Sequence, residues 1–143
     1  MNKETWLKLI IFLSFLGIIA SGYLTYLHYK PISIENPEFC DFSQSFNCST
    51  VNKSSYSLLF GIPVAILGIL AMLAVIILSF MLLKKKIELV ERILLYLLSF
   101  NLVFALYLLY TEIFLLNALC LFCLILDGII LLNLVFYLKY KNG

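Results

Sequence analysis

Charge is what this sequence has least of. Only 13% of its 143 residues are Asp, Glu, Lys or Arg, against about 25% in a typical soluble domain. That shortage excludes an ordinary water-soluble fold. No glycine-rich nucleotide loop, basic nucleic-acid patch, internal repeat or low-complexity tract is present either. Histidine occurs once, as His28, which follows the first apolar run and reads as an interfacial residue rather than a ligand. Proline is scarce. Pro31 and Pro37 sit in one polar segment, and Pro63 opens an apolar run, where its missing N–H costs a helix nothing. What remains is apolar: 64% of the residues are hydrophobic and the mean hydropathy is +1.07.

The apolar residues fall into four runs, each long enough to cross a hydrocarbon core that needs roughly 20 residues. The predicted architecture is all-α, an integral membrane four-helix bundle forming one domain over 1–143. Its spans lie at about 6–26, 63–83, 93–116 and 119–138, with an outer, cysteine-bearing loop at 28–62. Trp6 and Tyr26 suit interfacial anchors of the first span. Ala20 and Gly22 resemble a signal-peptide cleavage site, but the run is long for a cleaved leader. Only Asn117 and Ala118 separate the third and fourth spans, which predicts a tight antiparallel hairpin.

Basic residues orient the bundle. Lys3, Lys8, Lys84, Lys85, Lys86, Arg92, Lys139 and Lys141 fall on one side of the predicted membrane, and only Lys30 and Lys53 on the other. The positive-inside rule then puts both termini in the cytoplasm. The Cys40/Cys48 loop and the turn leading to Cys120 share the outer face of a multi-pass cell-membrane protein. All four cysteines are thereby on the oxidising side, which fits disulfide chemistry.

Cys120-Leu121-Phe122-Cys123 puts two sulfurs about one turn apart at a predicted helix start. Unpaired N–H groups at such an end favour an anionic sulfur. The residues between Cys40 and Cys48, Asp41 to Asn47, are polar enough for a swinging loop. Two pairs on one face permit a thiol–disulfide relay, in which a thiolate of one pair attacks the disulfide of the other. A bundle pocket of Phe, Tyr and Leu side chains would suit a quinone ring beside them. The residue types equally allow static disulfides, a zinc site of four thiolates, or small apolar fillers at 120 and 123. Asn47-Cys48-Ser49 and Asn52-Lys53-Ser54 match the glycosylation pattern, but a glycan beside Cys48 would obstruct exchange.

Two acids interrupt the apolar runs. Asp127 lies one turn past Cys123 on the same helix face, and an acid inside a span is a functional-site expectation by default. In its neutral form it could donate a hydrogen bond or a proton to a quinone oxygen. The alternative is a polar tie to Asn101 or Tyr107. Glu112 is close enough to the outer hairpin to reach headgroups and reads as structural.

The order Cys40-x7-Cys48, Ser54-Ser55-Tyr56-Ser57, Gly61-Ile62-Pro63 and Cys120-x-x-Cys123 resembles the vitamin K epoxide reductase family, most closely its bacterial and archaeal members that drive disulfide formation. The likeness covers essentially the whole chain. DsbB-type oxidases, which act similarly, place their Cys-x-x-Cys before the second pair, the reverse of the order here. The resemblance implies that Cys123 faces a quinone and that Cys120 is its resolving partner. It implies that Cys48 attacks Cys120 and that Cys40 pairs with Cys48 and meets the outside dithiol. Ser54 matches a loop serine placed to donate a hydrogen bond to the quinone carbonyl. Asp127 stands where vertebrate members carry tyrosine, so its quinone-binding role is an expectation from chemistry.

The implied activity is a membrane thiol–disulfide oxidoreductase that takes electrons from a separate thioredoxin-fold (DsbA-like) protein on the outer face. They pass to a quinone of ubiquinone, menaquinone or vitamin K type, and no metal is expected. Reduction of a vitamin K epoxide or quinone by the same residues is the near alternative. A small transporter using an intramembrane acid, or an assembly subunit with static disulfides, represents other classes.

Overall fold

The computed structural model describes residues 2–29, 51 and 54–143. Four helices in it are long and apolar enough to cross a membrane. They are α1 (Lys3–Tyr29), α2 (Val64–Lys84), α3 (Glu88–Tyr110) and α4 (Leu121–Asn142). Each is apolar on nearly every face, as expected of helices whose solvent is lipid. Phe12, Ile19, Leu70, Ile77, Phe80 and Val103 all point outward. In water such a surface would associate, whereas in lipid it costs nothing. The chain is a multi-pass membrane protein of all-α, four-helix-bundle architecture.

Helix α1 packs on α2 and α4, and α3 packs on the same two, so α1 and α3 lie diagonally. Small residues allow the closest approach, Gly17 of α1 facing Met72 and Gly68 of α2 facing Ser21. At the end holding the termini, Leu7, Ile10, Val75, Leu82, Leu94 and Tyr137 form one buried cluster. Trp6 and Phe136 stack beside it with ring centroids 5.4 Å apart. Tyr137 and Tyr140 donate to the Glu91 carbonyl and carboxylate at 2.6 and 3.0 Å, tying the end of α4 to the start of α3.

The opposite end has a smaller core of Leu24, Leu27, Val51, Ala118 and Cys120. Tyr23 and Phe122 add a ring contact at 4.7 Å between α1 and α4. Before α2, β1 (Leu58–Leu59) and β2 (Ile62–Pro63) pair antiparallel. Their turn places Phe60 at φ 55° and Gly61 at φ 80°, the positive values a tight hairpin requires. Pro63 precedes the first helical residue of α2, as the sequence suggests.

The helices depart from the predicted spans at their ends. Helix α1 runs on through His28, and α3 begins among the charged residues at Glu88. The third span does not stay α-helical to its end: Thr111–Leu116 is a π-helical turn, closed by Asn117 in the left-handed conformation (φ 52°). A π turn inserts an extra residue per turn and re-aims its side chains. Glu112, at its start, is buried in the bundle.

Candidate functional site

The site is built on the first turn of α4. Cys120 sits in extended conformation as the N-cap, where Ser, Thr, Asp or Asn is usual. Its sulfur accepts the Cys123 N–H at 3.3 Å, and its carbonyl accepts the Leu124 N–H at 2.9 Å. The cap thus holds the two sulfurs beside one another. Cys120 is fully buried and packs in the same cluster as Val51, whereas Cys123 is half-buried and lines a cavity. Of the two, only Cys123 is among the residues that line the cavity.

The cavity measures about 390 Å³ and lies between the upper halves of the helices. Apolar side chains make most of its wall, including Leu97, Phe100, Phe104, Leu126 and Ile130. Cys123, Asp127, Asn101 and Glu112 interrupt it. Asp127 Oδ2 and Asn101 Nδ2 are buried there without a hydrogen-bond partner among the described residues. Buried polar atoms are nearly always paired, so such orphans need a physical reason. The expected tie of Asp127 to Asn101 is not made, and Tyr107 is half exposed on the outside, stacking near Phe104.

Glu112 corrects the sequence reading. It does not reach toward headgroups: only 2% of its surface is exposed, and it lines the cavity. Its Oε2 accepts the Cys120 N–H at 3.4 Å and its carbonyl accepts the Ala118 N–H at 3.1 Å. The overlooked signal was the acid itself, as costly inside an apolar 29-residue run as Asp127 is in the next helix.

Ser54 lines the cavity and donates its hydroxyl to the Val51 carbonyl at 2.7 Å, which closes a local turn. His28 also reaches the cavity wall. Cys40 and Cys48 lie outside the described residues. The structure therefore brings Cys120, Cys123, Asp127 and Ser54 to one end of the bundle, with Glu112 and Asn101 added.

A family model described as the vitamin K epoxide reductase family matches residues 8–138, nearly the whole chain. The chain belongs to the vitamin K epoxide reductase family. No curated protein matches it in sequence. Membership implies an oxidoreductase embedded in the membrane, of a family that generally uses quinones and works with redox partners. The cavity suits such a molecule in two respects. A quinone ring needs an apolar slot, and its oxygens need the polar atoms that Asn101 and Asp127 leave unpaired.

Proposed function

We propose that this chain oxidises a partner protein's dithiol and passes the electrons through Cys40/Cys48 and Cys120/Cys123 to a quinone, in support of disulfide formation. The observation that carries the reading is the shared cavity: Cys123 lines it together with Asn101, Asp127 and Ser21, each with a buried polar atom that has no partner among the described residues. The buried partner Cys120 packs in one cluster with Val51, which is joined to Cys48 through Ser49 and Thr50 alone. That short connection supports Cys48 as the loop sulfur that attacks Cys120. Cys48 attacks Cys120 of the oxidised core pair, and Cys40 then resolves the mixed disulfide by attacking Cys48. That leaves Cys120 and Cys123 as thiols and the loop pair ready to oxidise an outside dithiol.

A bound quinone supplies a two-electron, two-proton acceptor. Toward such a molecule Asn101 Nδ2 would donate to an oxygen and a protonated Asp127 carboxyl would donate to another, while the apolar wall would exclude water. Ser54 would have to give up its turn bond to the Val51 carbonyl to donate there. The positively charged flanks put both termini in the cytoplasm and the cysteines on the outer face, where a separate thioredoxin-fold donor meets Cys40.

The test uses purified protein in detergent, a reduced thioredoxin-fold donor and a quinone followed by absorbance. Wild type should reduce the quinone and Cys123→Ala should not. Equal turnover by the variant, or none by wild type with ubiquinone, menaquinone and vitamin K types, rules the reading out.

A further inference from the structure

Glu112 is buried, lies on a different helix from the cysteines, and yet adjoins their pair. Its carboxylate accepts the backbone N–H of Cys120, and it lines the cavity that Cys123 also lines. It stands at the start of the π-helical turn Thr111–Leu116, which ends on the left-handed Asn117, a backbone irregularity of the kind that persists at working sites. It borders the same cavity as Cys123, so a ligand's oxygen and the reacting sulfur are both accessible to one carboxylate. No lysine or arginine lies among the described lining residues to hold that carboxylate in an ion pair.

We propose that Glu112 is a catalytic residue, the group that takes the thiol protons from the Cys120/Cys123 pair and hands them into the cavity as the pair is oxidised. The inference rests on the quinone-reducing reading above. Oxidation of the pair breaks two S–H bonds and forms one S–S bond. Two electrons pass to the quinone and two protons end on its oxygens. Glu112 accepts the Cys123 proton as that sulfur gives up electron density and releases it to an oxygen in the cavity. The Cys120 proton follows by the same carboxylate as the S–S bond closes. Without such a carrier, each proton would have to leave an apolar pocket unaided, and positioned proton transfer is worth about 10²–10⁴-fold in rate.

Glu112→Gln tests this, because the amide oxygen still accepts the Cys120 N–H but cannot take up a proton. In the reduced protein without quinone, infrared spectroscopy should show the Cys123 S–H stretch moving toward its unbonded position in Glu112→Leu, which offers the thiol no acceptor. Cys123→Ala identifies that band. With quinone, kcat should fall about 100-fold while KM stays unchanged, and Glu112→Asp should recover most of the rate. An S–H band that does not move overturns the contact. Glu112→Gln turnover within about threefold of wild type, or a loss confined to KM, overturns the proton-carrying role. A wild type that reduces no quinone overturns the parent reading and this one together, and the quinone-free band separates that failure from a missing Glu112 contact.

Discussion

Asp127 and Asn101 each keep a buried polar atom unpaired in an apolar cavity, at a typical cost of about 1–3 kcal/mol per group. A ligand with two oxygens recovers that cost, which links the defect to the binding event. Asp127→Asn keeps the shape and a hydrogen-bond donor but removes the exchangeable carboxyl proton. The expected result is a folded protein whose quinone reduction is slowed roughly 10- to 100-fold, and unchanged turnover would remove Asp127 from the mechanism. Asn101→Leu should raise the KM for quinone about tenfold, the equivalent of one lost hydrogen bond, with no loss of thermal stability. A lowered melting point would instead give Asn101 a structural role. Asp127 was legible in the sequence because its four-residue offset from Cys123 is one helical turn. Glu112 falls on the same helical face as the buried Asn101 and Ala105, and it is passed over because its closeness to the outer hairpin suggests headgroup contact.

Helices α1 and α2 form the closest pair, and the reason is visible at single glycines. A Cβ on Gly68 would come 3.0 Å from Ser21 Oγ, and one on Gly17 would come 3.1 Å from Met72 Sδ. Gly68→Val should therefore push the helices apart beside the cavity at a cost of about 1–3 kcal/mol, read as a lower unfolding temperature in detergent. Gly22 has nothing within 4 Å of such a Cβ, so Gly22→Ala is the matched control and should unfold like wild type. Hairpin geometry obeys a different constraint. Asn117 occupies left-handed backbone space that β-branched side chains resist. Asn117→Val should disturb the turn that presents both Glu112 and Cys120, whereas Asn117→Gly should be tolerated. Helix number and approximate position were legible from apolar run length. The π turn and the exact helix ends were not, since they follow from how the hairpin packs.

At the scale of the whole molecule, the two ends do different jobs. The end with the termini is closed by a large aliphatic and tyrosine cluster, and the end with the cysteines holds a small core and a cavity. Rigid closure at one end leaves room at the other for a ligand and an approaching loop. The lysine-rich flanks should orient the bundle, so a fluorescent protein fused after Gly143 should fold and glow in the cytoplasm. Replacing Lys84, Lys85 and Lys86 with Gln should produce a fraction of inverted molecules, and an unaltered signal would assign orientation to other charges. Composition and run length by themselves determined the membrane class, the four helices and the cysteine order that marks the family, because hydrophobicity and spacing act locally along the chain. Tertiary structure alone decided which polar atoms share a cavity and which cysteine faces it. It also decided that Glu112 turns inward to the sulfurs. Those outcomes depend on side chains from separate helices meeting, and no local pattern encodes where helices cross.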